Sequence, residues 1–180
     1  MAEQRMIKFQ RNIFLEEILK DLNGILWNAE KELIKQGQPD FPLIFILGPH
    51  RSGSTLLMQW FANTGLFAYP TNLLSRFYNA PIIGAKIQLL LTDERYNFRD
   101  ELKEFTKSKV DMSSENGKTK GVLAPNEFWY FWRRFLPFKE FDYIATEELL
   151  KTSDITTMTA EFAGMMNVFQ KPMVDRKSVV

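Results

Sequence analysis

Eight consecutive residues, Gly48-Pro49-His50-Arg51-Ser52-Gly53-Ser54-Thr55, gather two glycines, three hydroxyls, an imidazole and a guanidinium. Glycines let a backbone turn tightly, successive N–H groups and hydroxyls donate hydrogen bonds, and Arg51 brings a permanent positive charge. That set suits an anion, with phosphate or sulfate the natural occupant. Two further groups are candidates to move a proton beside it: His50, the single histidine of the chain, and Glu127, which opens an aromatic stretch. For each there is a plainer role, a solvated loop histidine for His50 and a helix-start acid for Glu127.

The flanking residues decide whether these groups converge. Leu43 to Leu47 is an uninterrupted apolar run opened by Pro42 and closed by Gly48, which predicts a strand covered on both faces. After Gly53, Leu56, Leu57, Trp60 and Phe61 recur at helical spacing, with Ser54 and Thr55 expected to cap the first turn. A loop between strand and helix aims free N–H groups at one point before a helix N-terminus, where the dipole is also positive.

The loop almost fits G-x-x-x-x-G-K-[ST]: Gly48, Gly53 and Thr55 are in register, but Ser54 stands where the lysine belongs. In nucleotide kinases and ATPases that lysine reaches the outer phosphates, so its absence argues against ordinary triphosphate chemistry. A cation remains three places earlier, at Arg51. Pro-x-Arg-Ser-Gly-Ser-Thr after a strand resembles the loop of the sulfotransferase family that binds the donor 3′-phosphoadenosine 5′-phosphosulfate.

That resemblance implies an α/β, P-loop-like sulfotransferase fold and sulfuryl transfer to an acceptor hydroxyl or amine of a small molecule or glycan, with no metal required. Backbone N–H groups of Ser52, Gly53, Ser54 and Thr55 would hold the 5′-phosphosulfate, Arg51 would neutralise charge on the leaving oxygen, and Glu127 or His50 would be the base. It extends over residues 41–174 by order of elements. Sulfotransferases have a further C-terminal part that grips the 3′-phosphate, and nothing here matches it, so the expected fold is helix-rich and incomplete, a C-terminally truncated member. Residues 1–40 form an N-terminal amphipathic helix in this division, and 175–180 a short polar tail, read as non-native and foreign to the original reading frame. Two alternatives stand beside it: an inactive remnant, and a P-loop kinase or ATPase lacking the usual lysine.

Composition sets the outer limits. A chain of 180 residues, 45% hydrophobic, can bury a core as one domain. A net charge of +1 gives no global field for nucleic acid or an anionic membrane. No apolar run approaches the roughly 20 residues needed to span a bilayer, and the absence of cysteine fits a reducing compartment, so a soluble cytoplasmic protein is expected. Oligomeric state is not readable.

Elsewhere, Phe14, Ile18, Leu22, Ile25, Ala29 and Leu33 recur by three or four, with Leu15, Leu19 and Leu26 widening the stripe, and predict a first helix packed by that stripe and stopped at Gly37 and Pro39, with Glu16, Lys20, Glu30 and Lys31 mostly off it. A helical piece is expected around 72–79, then a short amphipathic helix through Ile82, Ile87 and Leu91. Arg76, with Thr71 and Asn72 just after the loop helix, is either placed to face an acceptor or an ordinary exposed helix arginine, the commoner case. Residues 107–120 read as a polar loop. The aromatics of 128–135 predict an enclosed helix whose Arg133 and Arg134 suit the C-terminal dipole. Ile155, Met158, Phe162, Met165 with Met166, and Phe169 predict an amphipathic helix, opened by Ser153 or Asp154, with methionine filler, and Lys171 to Val174 an incipient strand that goes no further.

Overall fold

The computed structural model describes residues 12–35, 39–49, 52–106, 114–115, 118–136 and 146–178. Their order is α1 (Ile13–Leu33), β1 (Leu43–Gly48), α2 (Ser54–Thr64), α3 (Pro81–Thr92), α4 (Lys103–Thr106), β2 (Ser114–Glu115), β3 (Lys118–Thr119), α5 (Trp129–Phe135), α6 (Thr146–Thr152), α7 (Ile155–Phe169) and β4 (Met173–Ser178). The fold is mixed α/β and helix-rich. β1 pairs in parallel with β4, Leu43 opposite Met173 through Gly48 opposite Ser178, and β2 with β3 makes a small antiparallel pair.

Alternation along the parallel pair gives the sheet two different faces. Phe45 and Asp175 share one, and both meet Trp132 of α5, Phe45 by an edge-on ring contact at 5.6 Å and Asp175 by a 2.7 Å bond from the indole Nε1–H. Ile46 and Arg176 share the other, which α2 covers. The core fills the first face: Phe128, Phe131, Trp132, Phe162, Met165, Met166 and Met173 are buried together. Phe128 stacks on Phe131 with centroids 4.4 Å apart. The methionines therefore serve as core filler, as expected.

β1 departs from the expectation of a strand covered on both faces, since Phe45 is 43% and Leu47 67% exposed. The incipient strand after Lys171 also differs, running on to Ser178 through the segment read as a polar tail. Its polar residues belong there because Asp175 and Arg176 are themselves buried and each finds a partner, on opposite faces.

The first helix is present but turned from its expected orientation. Phe14, Ile18 and Ile25 of its apolar stripe are more than half exposed, while Asn23 and Glu30 are fully buried. Asn23 accepts from the Asn79 N–H and donates to the Arg76 carbonyl, both at 2.8 Å. Glu30 accepts from the Ile82 and Ile83 N–H groups at 2.6 and 3.0 Å, capping α3 from a distant helix. Specific polar pins thus outweigh the apolar stripe in setting the helix's orientation. The helix ends at Leu33 with an extended Ile34, before Gly37, which lies outside the described residues.

Between α2 and α3 the expected helical piece is only a 3₁₀ turn, Leu74–Arg76, and Pro81 begins α3 at its first position, where a missing N–H costs nothing. Most of the 107–120 loop lies outside the described residues. Helix α5 is buried along Phe131, Trp132 and Phe135 but leaves Trp129 and Tyr130 exposed, so it is not enclosed all round. Arg133 and Arg134 lie in the last turn of α5, as expected, and Arg134 also forms a bidentate pair with buried Glu161 of α7, both contacts at 2.8 Å, and donates to the Tyr78 carbonyl. Helix α7 is capped by Asp154, one of the two residues expected there.

Burial, opposed by Arg134, raises the Glu161 carboxyl from 4.5 to about 7. A carboxyl raised on folding binds its proton more tightly in the folded state, so stability falls as pH climbs from about 4.5 to about 7. Urea midpoints are expected to be lower at pH 7.5 than at pH 5, and Glu161→Gln should flatten that slope by no more than about 3 kcal/mol across the window. Glu30, raised by burial as well, retains the remainder.

Candidate anion-binding site

The parallel strand pair and α2 meet at the turn after Gly48. A Cβ on Gly48 would stand 2.9 Å from the Ser52 hydroxyl oxygen, so the turn closes on itself tightly. Gly53, at φ 81° and ψ 6°, is the residue before α2 and takes the left-handed conformation that glycine adopts without strain. The first-turn N–H groups of α2 have no intrahelical acceptor, and Ser52 and Gly53 are exposed, so the turn opens to solvent. His50 and Arg51 lie outside the described residues.

Ser54 and Thr55 do not cap the helix as expected; α2 has no side-chain cap. Their hydroxyl oxygens instead accept from a guanidinium across the sheet. Arg176 Nη1 reaches Thr55 Oγ1 at 2.6 Å and Ser54 Oγ at 3.4 Å, with Arg176 itself only 4% exposed. Burial pushes the guanidinium down from its ordinary value, while Glu127 and Asp175 push it back up. It stays cationic because an arginine starts so far above neutrality.

Glu127 pairs with this arginine, its Oε1 3.3 Å from Nη2. The expected helix-start position is corrected: α5 begins at Trp129, and Glu127 precedes it in an extended segment, partly exposed rather than held in an apolar site. The reason is Phe128, fully buried at φ 51°, a left-handed conformation that is costly for a bulky residue and sustained by its stack on Phe131. That kink keeps Glu127 out of the helix and level with Arg176.

Of the expected site residues, Ser54, Thr55 and Glu127 therefore meet through Arg176, with Ser52 and Gly53 at the solvent side of the same turn. Thr71 and Asn72 are not free to face an acceptor. The Thr71 hydroxyl bonds Gln88 and the Leu74 N–H, and Asn72 binds the carbonyls of Thr119 and Gly121 and the Asn126 amide. Arg76 lines a separate cleft. Arg176 is the functional candidate that sequence reasoning missed. Its available signal was position: ligands in α/β folds gather at the C-terminal ends of parallel strands, where a polar residue has a reason to be.

No family model, no curated protein and no solved structure matches this chain. Among the described residues, no helix is long and apolar enough to cross a membrane, and no group of three or more His, Asp or Glu side chains is arranged to hold a metal ion.

Removing the Arg176 guanidinium takes away its hydrogen bonds from β4 to the first turn of α2. Arg176→Met is expected to lower stability by about 1.5–3 kcal/mol, the worth of a hydrogen bond to a charged group. Glu127→Gln should cost less than about 1 kcal/mol, because its carboxylate is partly exposed. Paired urea titrations at neutral pH measure both.

Proposed function

We propose that the Gly48–Thr55 turn is the donor-anion site of a sulfotransferase-type enzyme, which transfers a sulfuryl group from 3′-phosphoadenosine 5′-phosphosulfate to an acceptor hydroxyl or amine. The observation that carries this reading is the buried Arg176 guanidinium on the hydroxyls of Thr55 and Ser54 at the N-terminus of α2. A fixed cation, two hydroxyls and the free N–H groups of a helix start fit a phosphosulfate chemically.

The roles follow from where charge develops. In sulfuryl transfer, negative charge accumulates on the bridging oxygen as the bond to sulfur lengthens. Cations held beside it lower that barrier, and one well-placed donor is worth about 2.7–4 kcal/mol. Arg51, in the turn, is assigned to that oxygen. Arg176 orients the Thr55 and Ser54 hydroxyls by using their lone pairs, which leaves their protons to point toward an anion. Glu127, fixed against Arg176, is assigned as proton acceptor from the attacking hydroxyl or amine; His50, beside Arg51 in sequence, is the second candidate for that step.

Magnesium-dependent phosphoryl transfer fits less well. A magnesium ion in a P-loop sits on the hydroxyl equivalent to Thr55, and here a guanidinium occupies that oxygen at 2.6 Å. Asp175, on the strand next to β1, turns the other way to Trp132.

Arg51→Ala is expected to abolish sulfuryl transfer, read by formation of the sulfated acceptor and of 3′-phosphoadenosine 5′-phosphate with a panel of acceptor alcohols and amines, while leaving the thermal midpoint near that of the wild type. Transfer that survives the substitution contradicts the assignment. Magnesium-stimulated hydrolysis of ATP would replace it with the kinase or ATPase reading, and a folded chain that binds no 3′-phosphoadenosine 5′-phosphate would replace it with an inactive remnant.

A further inference from the structure

A second concavity lies away from the turn, between the inner face of α1, the Leu74–Arg76 turn and the start of α5. Its volume of about 570 Å³ is that of a small-molecule site. Leu15, Leu19, Leu73, Trp129 and Tyr130 make its walls, and the two aromatic rings are 43% and 42% exposed. Large flat apolar surfaces left open in this way favour a rigid ring.

Two polar groups in the lining have work left to do. The Ser75 hydroxyl oxygen is buried with no hydrogen-bond partner, which is costly unless something supplies one. The Arg76 backbone is fixed by the Asn23 amide at 2.8 Å, but its guanidinium pairs with none of the described residues. The other polar lining groups are already occupied, since the Asn126 amide donates to Asn72 and its oxygen accepts from the Phe128 N–H. The Tyr130 hydroxyl donates to Glu16 at 3.3 Å.

We propose that this cleft binds a small ring-bearing anion, an aromatic or alicyclic carboxylate, with the ring between the leucines and Trp129 and Tyr130, and the charged group on Arg76 with Ser75 donating to it. The proposal does not depend on the donor reading. Asn126 lines the cleft, and Glu127, next in sequence, pairs with Arg176.

Titration calorimetry on the full chain, without nucleotide, tests it with 2-naphthoate and its uncharged counterpart 2-naphthylmethanol. Naphthoate is expected to bind saturably at one site and about two- to fivefold tighter than the alcohol, the range of a partly exposed ion pair. Arg76→Gln should erase that preference. Trp129→Ala should weaken both ligands, and Ile18→Glu, on the outer face of α1, should weaken neither. Absence of saturable binding by either ligand overturns the proposal, as does a carboxylate preference that survives Arg76→Gln. Displacement of naphthoate by 3′-phosphoadenosine 5′-phosphate also overturns it, because the ring would then lie at the turn. Failure of the nucleotide to bind at all counts against the donor site and leaves this cleft standing.

Discussion

The arrangement hangs on one contact, the 2.6 Å hydrogen bond from the Arg176 guanidinium to the Thr55 hydroxyl. It exists because β4 runs parallel to β1 in a register that sets Arg176 beside Ile46, on the face covered by α2. One residue's shift in that register would exchange Arg176 with Asp175 and send the guanidinium into the aromatic core. Burying an arginine is costly unless its donors are largely met. Here the hydroxyls of the α2 N-terminus meet Nη1 and the carboxylate of Glu127 meets Nη2, while the buried Nε–H finds no acceptor among the described residues. Sheet register, the start of α2 and the kink at Phe128 are therefore one problem with one solution. The cation that a P-loop carries on its own lysine arrives here from a neighbouring strand.

Much of the scaffold was legible in the sequence. The strand from Leu43, the turn at Gly48 to Gly53 and the helix after it follow from a compact apolar run meeting helical spacing across two glycines. α7 follows from its periodicity and Asp154. The unread parts share a cause. β4 was cut short because Asp175 and Arg176 look like solvent residues until their partners, Trp132 and Thr55, are in place, and those lie 43 and 121 positions away. Glu127 was put inside a helix because nothing local announces that Phe128 will take a left-handed conformation; the stack on Phe131 does that. Periodicity reports what a helix could bury, and the fold decides what it does bury.

Helix α1 makes the same point from the opposite side. Its apolar stripe promised a buried face, yet Leu15, Leu19 and Leu26 are only partly buried and the fully buried residues are Asn23 and Glu30. Each satisfies backbone N–H groups that would otherwise end unpaired: Asn23 at Asn79, Glu30 at the first turn of α3. Ala80 offers α3 no side-chain cap of its own, so a carboxylate from another helix takes the role. The Arg134–Glu161 pair then joins α5 to α7 beside it. These polar ties orient the elements around the turn and hold the inner side of α1 over the cleft that contains Arg76.

The most direct measurement is the amide ¹H–¹⁵N spectrum of the chain titrated with 3′-phosphoadenosine 5′-phosphate. The account predicts saturable shifts centred on the N–H groups of Ser52, Gly53, Ser54 and Thr55, with the Arg176 side-chain signal moving on the same binding curve. Shifts confined to other parts of the chain, or none at these four residues at saturating nucleotide, would contradict it.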